Sequence, residues 1–205
     1  MNTSKQHWET VFTTKSPQEV SWTQTYPSTS MELIQAFQLP KSIAIIDIGG
    51  GDSLLVDALM NEGYTDITVL DISEKALFRA QKRIGERSKK IKWIVCDINN
   101  FKPKRNYDLW HDRAAFHFLI QKEEINNYTK TVNKFVSNAL VLGAFSKDGP
   151  KKCSGLQITQ YSCISMAENF EKLFTVEECR YEDHTTPFNT KQNFTFTRFK
   201  KKKQS

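Results

Sequence analysis

Three aspartates could each offer a carboxylate to a polar ligand, and each stands at or just after the end of a short apolar run. They are Asp47, Asp71 and Asp97. Carboxylates accept hydrogen bonds from hydroxyl and amino groups, and open α/β sheets bind ligands at the carboxyl ends of their strands. Each aspartate also has a structural interpretation: Asp47 suits a turn, Asp71 a helix cap, and Asp97 an Asx turn. One such coincidence is common, but three in register favour a binding site.

A run of three glycines, residues 49–51, lies between a predicted strand and a predicted helix. Glycine suits a turn that a ligand approaches closely, because it has no Cβ and tolerates positive φ. A dinucleotide fingerprint needs a further glycine where Leu54 stands, so that match is partial, and the lack of Gly-Lys-Ser/Thr excludes a P-loop. The alternative pattern, two hydrophobic residues followed by Asp-x-Gly-x-Gly, fits with its aspartate at Asp47, although Ser53 takes the place of the next glycine.

The apolar pattern predicts strands and helices in alternation along most of the chain. Such alternation implies a parallel sheet with helices packed on it, and the two consecutive strands at the end imply an antiparallel hairpin at the sheet edge. The predicted strands cover residues 43–48, 67–70, 91–95, 107–111, 139–145, 174–182 and 193–200. The predicted helices cover residues 30–37, 52–62, 74–84, 122–135 and 162–171.

The chain divides into an N-terminal arm at residues 1–40, a main domain at 41–199 and a basic tail at 200–205. The first 30 residues of the arm are polar, yet they hold four aromatic residues: Trp8, Phe12, Trp22 and Tyr26. Because a disordered arm rarely holds two tryptophans, we expect this one to fold over the glycine turn as a lid. The alternative is that its aromatic residues only pack on the edge of the sheet.

Composition limits the class of protein. A chain of 205 residues with 39% apolar residues supports one domain with a sizeable core. Residues 200–203 supply four charges of a net +6, so we interpret the basic balance as a solvated terminus before a nucleic-acid contact. Neither a leader, a membrane span nor a metal site is predicted. The four cysteines are expected to be reduced thiols in a cytoplasmic protein.

On these residues the chain resembles the class I S-adenosylmethionine-dependent methyltransferases along nearly its whole length. The resemblance implies a three-layer α/β/α sandwich with a Rossmann-like, seven-stranded, mostly parallel sheet. It implies that Asp71 accepts hydrogen bonds from the ribose hydroxyls of the cofactor, that Asp97 accepts one from the adenine amino group, and that the Ile98 amide donates to a ring nitrogen. The residues expected to bind the cofactor are Trp8, Asp47, Gly49, Gly50, Gly51, Ser53, Asp71, Ile72, Asp97, Ile98 and His111.

The stretch at 110–117, after the fourth predicted strand, borders the methyl group of the cofactor in this family. The Asp-Arg-Ala-Ala sequence at 112–115 resembles the Asp-Arg-Gly-Ala of thiopurine-methyltransferase-like members. Their arm also has a Trp-x-x-x-aromatic pattern, which Trp8 and Phe12 match. Some protein-lysine methyltransferases have a related Asp-Lys-Gly sequence. These are local similarities, and they leave the acceptor class open.

Three residues near this strand end are the candidate catalytic residues: His111, Arg113 and His117. His111 is expected to line the methionine part of the cofactor. Arg113 either anchors an acidic group of the acceptor or pairs with Asp112 and holds the loop. His117 either acts as a base near neutral pH or packs on the neighbouring helix. A further base–orienter pair at residues 183–184 is weakened, because adjacent strand residues point to opposite faces.

The resemblance implies an enzyme (EC 2.1.1.-) that moves a methyl group from S-adenosylmethionine to a small molecule or a protein side chain by in-line displacement, with S-adenosylhomocysteine as product. Two alternatives are open: a non-catalytic cofactor-binding protein, and an RNA methyltransferase that uses the basic tail. Loops near 111–117, 151–161 and 183–192 are expected to form the acceptor site. Neither a nucleic acid nor a membrane is the expected partner, and the oligomeric state is not determined by the sequence.

Overall fold

A seven-stranded sheet is the central layer of the protein, whose computed structural model describes residues 3–203. The strands are β1 Ala44–Ile48, β2 Asp66–Asp71, β3 Lys92–Val95, β4 Tyr107–Arg113, β5 Val136–Phe145, β6 Lys152–Cys153, β7 Leu156–Gln157, β8 Phe174–Thr185 and β9 Lys191–Lys201. The helices are α1 Thr3–Thr14, α2 Ser28–Gln35, α3 Leu55–Asn61, α4 Glu74–Ile84, α5 Lys122–Phe135 and α6 Cys163–Glu168. The sheet order is β3-β2-β1-β4-β5-β9-β8, while β6 and β7 form a separate small hairpin.

The direction of the strands confirms the predicted fold class. Strands β1 to β5 pair in parallel, and β9 inserts antiparallel between β5 and β8. Successive side chains of a strand point to opposite faces, so Ile45 enters one buried cluster with helices α2, α3 and α4. Its neighbour Ile46 enters the other cluster, with α5 and α6. The result is the expected three-layer sandwich.

Two helices begin and end as predicted, α2 lies two residues earlier than predicted, and α3 and α6 begin later. Helix α4 has Ser73 as its N-cap, with the Ser73 hydroxyl accepting from the Ala76 amide at 3.1 Å. Helix α5 also has its predicted bounds. Helix α3 was predicted from residue 52 but begins at Leu55, because the glycine turn continues to Ser53, whose hydroxyl accepts from the Leu55 amide. Capping groups therefore decide where these helices start.

The basic tail is shorter than predicted. Strand β9 extends through Lys201, so Lys200 pairs with β5 and β8 instead of lying in a solvated terminus. The Lys201 ammonium donates to the Asn133 carbonyl, and that of Lys202 donates to the Glu171 carbonyl at 2.6 Å. The strand predicted over residues 193–200 therefore continues one residue further, and the division into a main domain and a tail remains a prediction. A run of four lysines does not by itself show where a strand ends, since the side chains of alternate strand residues can reach water.

The N-terminal arm contains a helix that the sequence did not predict, α1. Threonine has low helix propensity, but Thr10, Thr13 and Thr14 each donate their hydroxyl to the carbonyl four residues back. Tertiary contacts hold the helix in place: the Glu9 carboxylate accepts from the Glu74 amide at 2.7 Å and from the Ser73 hydroxyl at 3.2 Å. An anionic side chain thus stabilises the N-terminus of α4 from another helix.

The cysteine prediction needs correction. Cys163, at the start of α6, forms a disulfide with Cys179 of β8, and Cys96 and Cys153 are the free thiols. The two bonded cysteines are 16 residues apart in sequence, a spacing that matches no recognisable motif. Only the packing of α6 beside β8 brings them together, which is why sequence reasoning assigned them as reduced.

No helix within residues 3–203 combines the length and the apolar character that crossing a bilayer requires.

A buried chain of hydrogen bonds fixes the loop that follows β4. The Trp110 indole donates to the Tyr128 hydroxyl at 2.9 Å, and that hydroxyl donates to Asp112 Oδ2 at 2.7 Å. The other oxygen of Asp112 accepts from the amides of Ala115 and Phe116 at 2.9 and 3.0 Å. Burial raises the pKa of Asp112 to about 6, so at neutral pH its carboxylate depends on these donors.

Replacing Tyr128 with phenylalanine should therefore destabilise the fold. Tyr128→Phe keeps the ring but leaves the indole N–H and one carboxylate oxygen without their partner, a loss of about 1–3 kcal/mol in the free energy of unfolding. Chemical denaturation at pH 7.5 measures it. The matched control is Tyr26→Phe, since Tyr26 is 51% exposed and should change little; equal effects of the two variants would contradict the network.

Candidate functional site

One cavity of about 720 Å³ opens at the carboxyl ends of β1, β2, β3 and β4. All the residues predicted to bind a cofactor line it: Trp8, Asp47, Gly49, Gly50, Gly51, Ser53, Asp71, Ile72, Asp97, Ile98 and His111. Parallel strands bring their carboxyl ends to the same edge of a sheet, which is why residues 50 positions apart in sequence meet here. Their binding role remains a prediction, but their convergence is a property of the structure.

The glycine turn has no room for side chains. Gly49 and Gly51 have φ of +65° and +46°, and the amides of Gly49 and Gly50 both donate to the Leu70 carbonyl, at 2.8 and 3.2 Å. A Cβ on Gly50 would lie 2.6 Å from Asp47 Oδ2. Glycine therefore lets the turn pack directly against the carboxylates beneath it, and leaves backbone on the cavity wall.

Asp71 is buried at the centre of the acidic wall. It is 6% exposed, and its Oδ1 accepts from the Ser73 amide at 2.8 Å. Burial raises its pKa to about 7, and the neighbouring charges of Asp52 and Asp47 add to this, although amides of Ser73 and Gly51 oppose it. Asp71 thus contacts the start of α4, as its structural interpretation predicted, and also faces the cavity.

Asp97 likewise fits both of its interpretations. Its Oδ1 accepts from the Asn99 amide at 3.0 Å, which forms the predicted Asx turn at the short 3₁₀ helix Ile98–Asn100. Asp97 and Ile98 also line the cavity. The turn orients the strand end toward the cavity, so the structural and binding interpretations are compatible.

His111 joins three parts of the protein beneath the cavity. Its Nδ1 lies 2.7 Å from Asp47 Oδ1, and its Nε2 lies 2.9 Å from Ser30 Oγ. The side chain is only 2% exposed. Both ring nitrogens are engaged, so neither is free to take up a proton from a ligand in this arrangement, and a catalytic role for His111 remains a prediction. Sequence reasoning placed His111 in the site but did not foresee its contact with Ser30, which lies within α2.

Arg113 does not form the predicted pair with Asp112, whose oxygens are engaged by Tyr128 and by backbone amides. Arg113 Nη1 donates to the Trp22 carbonyl at 3.1 Å, and the guanidinium lies 4.8 Å from the centre of the Phe194 ring. Its Nε and Nη2 are buried without a hydrogen-bond partner. Burial lowers the pKa of Arg113 to about 10, so the group is still a cation at neutral pH.

His117 is not part of the cavity wall, and the hypothesis that it acts as a base is corrected. It is 0% exposed and packs on the rings of Phe118 and Phe145. Burial, together with the charge of Arg113, lowers its pKa to about 3. Such a group stays neutral and takes up a proton poorly, so the packing interpretation holds.

The possible pair at residues 183–184 is also absent. Asp183 bonds to Asn193 and Lys191, whereas His184 Nε2 donates to the Ser21 carbonyl at 2.7 Å. The two side chains leave the strand in opposite directions, as the strand geometry predicted. His184 therefore contacts the arm and lacks an orienting carboxylate.

An aromatic cluster formed by Trp8, Phe12, Trp22 and Phe118 covers one side of the cavity. Trp8 lies at the centre, with its ring 6.2 Å from Phe12, 5.7 Å from Trp22 and 5.2 Å from Phe118. Phe12 lies 3.5 Å from the place that a Cβ on Gly51 would occupy. The arm thus reaches the glycine turn, while Phe118 had no sequence signal that would single it out.

The fold and the cavity define an α/β domain of the kind that binds a nucleotide-like cofactor at its strand ends. Residues 45–138 match the family model described as a methyltransferase domain. The predicted resemblance to the class I S-adenosylmethionine-dependent methyltransferases is therefore confirmed over this stretch of sequence and in the fold, while the binding of S-adenosylmethionine by this chain remains a prediction.

Individual relatives are distant. The chain is 26% identical over 122 residues to the eEF1A lysine and N-terminal methyltransferase of Mus musculus, which is 59% of this chain and 17% of that protein. It is 26% identical over 105 residues to a malonyl-[acyl-carrier protein] O-methyltransferase of Ilyobacter polytropus, 51% of this chain and 40% of that protein. The chain thus spans less than half the length of both curated relatives.

Solved structures resemble the chain over nearly its whole length. The N-methyltransferase NodS from Bradyrhizobium japonicum, in complex with S-adenosyl-L-homocysteine, superposes with a TM-score of 0.74 at 14% identity. The match covers 98% of this chain and 100% of that one. At this identity the likeness establishes the fold alone.

The raised pKa of Asp71 predicts a pH-dependent affinity. As the pH falls through about 7, Asp71 takes up a proton and loses part of its capacity to accept from two hydroxyls. Affinity for S-adenosylmethionine should then fall by up to about tenfold per pH unit between pH 7 and 5. Calorimetric titrations across this range measure the profile. Asp71→Asn should bind weakly with a flatter profile, and a profile unchanged in that variant would assign the titration to another group.

Proposed function

We propose that the protein binds S-adenosylmethionine in this cavity and transfers its methyl group to a small molecule or a protein side chain. The observation that carries the proposal is the convergence of the glycine turn with acidic residues from three strand ends. Five acidic residues line the cavity: Asp47, Asp52, Asp71, Asp97 and Glu124. Two arginines, Arg83 and Arg113, also line it, so acidic groups are in excess. A cavity with an excess of one sign of charge attracts a ligand of the other sign, and this cofactor has a net positive charge.

The residues present fit the parts of the cofactor. Asp71 is placed to accept from the ribose hydroxyls and Asp97 from the adenine amino group, while Ile72 and Ile98 offer apolar surface to the adenine ring. The glycine turn carries no Cβ atoms, and any added there would meet neighbouring groups. The turn therefore leaves room for the methionine part of the cofactor. Bound there, S-adenosylmethionine would supply a methyl group activated by the positively charged sulfur. The chain itself would contribute alignment and exclusion of water.

The relatives support two kinds of acceptor. The mouse relative is named for methylating lysine and an N-terminus, and the bacterial relative for O-methylating malonyl-[acyl-carrier protein]. Amines and acids are therefore both acceptors among similar proteins. The RNA alternative loses support, since Lys200 and Lys201 belong to β9 and Lys202 bonds to Glu171. A cytoplasmic location remains a prediction.

The arm is proposed to close over the bound cofactor. Helix α1 is anchored on α4 through Glu9, and the Arg79 guanidinium donates to the Lys15 carbonyl at 2.6 Å. These contacts hold Phe12 against the glycine turn. The arm would then exclude water from the cofactor, which strengthens the electrostatic interactions within the cavity.

Calorimetric titration with S-adenosylmethionine and S-adenosylhomocysteine tests the cofactor proposal. Asp71→Ala should weaken binding of both by about 10- to 150-fold, since a hydrogen bond to a charged group contributes about 1.5–3 kcal/mol. The matched control is Asp66→Ala, at the opposite end of β2, where Asp66 pairs with Arg105 at 2.5 Å. Folded wild-type protein that binds neither ligand would overturn the proposal, and NAD would then be the next ligand to test.

The lid proposal predicts that Phe12 slows cofactor release. Phe12→Ala removes a buried ring from the cavity wall and should raise the dissociation rate of S-adenosylhomocysteine by about tenfold, given about 1.5–3 kcal/mol for a buried aromatic or aliphatic side chain. Stopped-flow displacement measures the rate. The control is Thr13→Ala on the exposed side of α1. Equal dissociation rates for wild type and Phe12→Ala would show that the arm does not cover the bound cofactor.

A further inference from the structure

We propose that the methyl acceptor is a carboxylate, and that the Arg113 guanidinium binds it where the cofactor cavity meets a second cavity. The inference rests on the proposed function, because it names the acceptor class of the same site. It draws on three observations: the position of Arg113, the lack of an anionic partner for it, and the state of the histidines around it.

Arg113 lies between two cavities. The second cavity, of about 480 Å³, is bounded by the β8–β9 hairpin on one side and by the arm on the other. Residues that line both cavities come from one segment of the arm, namely Gln18, Thr23, Gln24 and Thr25, together with Arg113. An acceptor that enters through the second cavity would therefore reach Arg113 before it reaches the cofactor.

Arg113 lacks a carboxylate partner, unlike five of the other six arginines in the described residues; the sixth, Arg87, is exposed and donates to the Asn61 side chain. Arg79, Arg83, Arg105, Arg180 and Arg198 each form an ion pair with an aspartate or glutamate. No such pair is found for Arg113, and only the Trp22 carbonyl accepts from it. A buried cation without an anion is costly, so binding a carboxylate would relieve an existing penalty.

The geometry of arginine favours a carboxylate over other anions of similar charge. The guanidinium presents parallel N–H groups that match two carboxylate oxygens, and Nε and Nη2, the two nitrogens left without partners here, lie on one edge of that group. The arm segment lies beside this guanidinium, because its Ser21 and Trp22 carbonyls bond to His184 and to Arg113 Nη1. An incoming carboxylate would displace this segment.

Within residues 3–203 the cofactor cavity offers no free histidine as a base, and a carboxylate acceptor needs no base. Both nitrogens of His111 are engaged, and His117 is buried outside the cavity. Carboxylates are ionised at neutral pH, so one carboxylate oxygen forms the new O–CH₃ bond while the C–S bond breaks and its electron pair stays on sulfur. A methyl ester and S-adenosylhomocysteine result, and no proton is released.

Neighbouring groups are compatible with this assignment. Glu182 and Asp183 line the second cavity but pair with Arg180 and Lys191, at 3.2 Å each. Burial raises the pKa of the Cys153 thiol to about 12, so it stays neutral beside Arg113. A lysine ammonium as acceptor would meet the guanidinium with like charge, which disfavours an amine.

The first test measures binding rather than turnover. Protein saturated with S-adenosylhomocysteine is titrated calorimetrically with benzoate, succinate and glutarate, and with benzamide, succinamide and butylamine as uncharged and cationic counterparts. At least one carboxylate should bind about tenfold tighter than its counterpart. Arg113→Gln and Arg113→Lys should each lose that preference. Arg105→Gln should keep it, because Arg105 lies at the amino-terminal ends of the strands, away from the cavity.

The affinity for S-adenosylhomocysteine separates the two proposals. If wild type binds S-adenosylhomocysteine but binds carboxylates no better than Arg113→Gln does, the carboxylate inference fails and the proposed function stands. If S-adenosylhomocysteine does not bind, the proposed function fails first. Thermal unfolding is measured for Arg113→Gln and for Arg113→Lys, which keeps the charge. The comparison shows whether a loss of carboxylate binding in Arg113→Gln reflects misfolding.

The second test identifies the product and asks whether a histidine acts as a base. Incubation of the protein with S-adenosylmethionine and the carboxylate that binds should yield a base-labile methyl ester, detected by mass spectrometry. His184→Gln should retain kcat, and the pH profile of kcat should lack a limb due to a histidine base. The inference would be overturned if butylamine or thiophenol were methylated in preference to every carboxylate. It would also be overturned if His184→Gln lost kcat a hundredfold.

Discussion

The hydrogen-bond chain from Asp47 through His111 to Ser30 is the interaction on which the site depends. It joins β1, β4 and the arm helix α2 in one buried line. The other oxygen of Asp47 lies under the glycine turn, so closely that Gly50 cannot carry a side chain. The same carboxylate therefore sets the position of the turn above it and of the histidine beside it.

This arrangement explains why acidic groups can be buried at the strand ends. Asp47 has a histidine partner, Asp112 has a tyrosine and two amides, and Asp71 has backbone amides. Each carboxylate is satisfied locally, as buried charges must be. Asp71 is satisfied least well, since burial and the charges of Asp47 and Asp52 raise its pKa to about 7. A ligand that offers two hydroxyls and a positive charge would stabilise it.

The sequence predicted those features that depend on local chemistry. The bounds of α4 could be predicted because Ser73 caps an amphipathic stretch, and the strand ends could be found because apolar runs stop at Asp47, Asp71 and Asp97. It could not predict α1, which depends on Glu9 contacting another helix. Nor could it decide between the two interpretations of His117: His111 lies within β4 and His117 only a few residues beyond its end, and only packing puts one in the cavity and the other behind it.

The error at Cys163 and the continuation of β9 past Lys200 share the same physical cause. Both residues depend on strands β8 and β9, which are distant in sequence from the elements they contact. Long-range pairing of this kind has no local signature, because loop closure rather than residue preference determines it. The proposed acceptor side of the site lies in this region, which is why the sequence indicated a cofactor far better than an acceptor.

The arm connects the two sides of the site physically. Its first helix places Phe12 beside the glycine turn, and its following segment offers the Ser21 and Trp22 carbonyls to His184 and Arg113. A displacement of that segment by an acceptor would act on the same continuous stretch of chain that contacts the cofactor cavity. Binding energies coupled in this way are reciprocal. An arm that closes over the cofactor would therefore also set how readily Arg113 is released to a carboxylate.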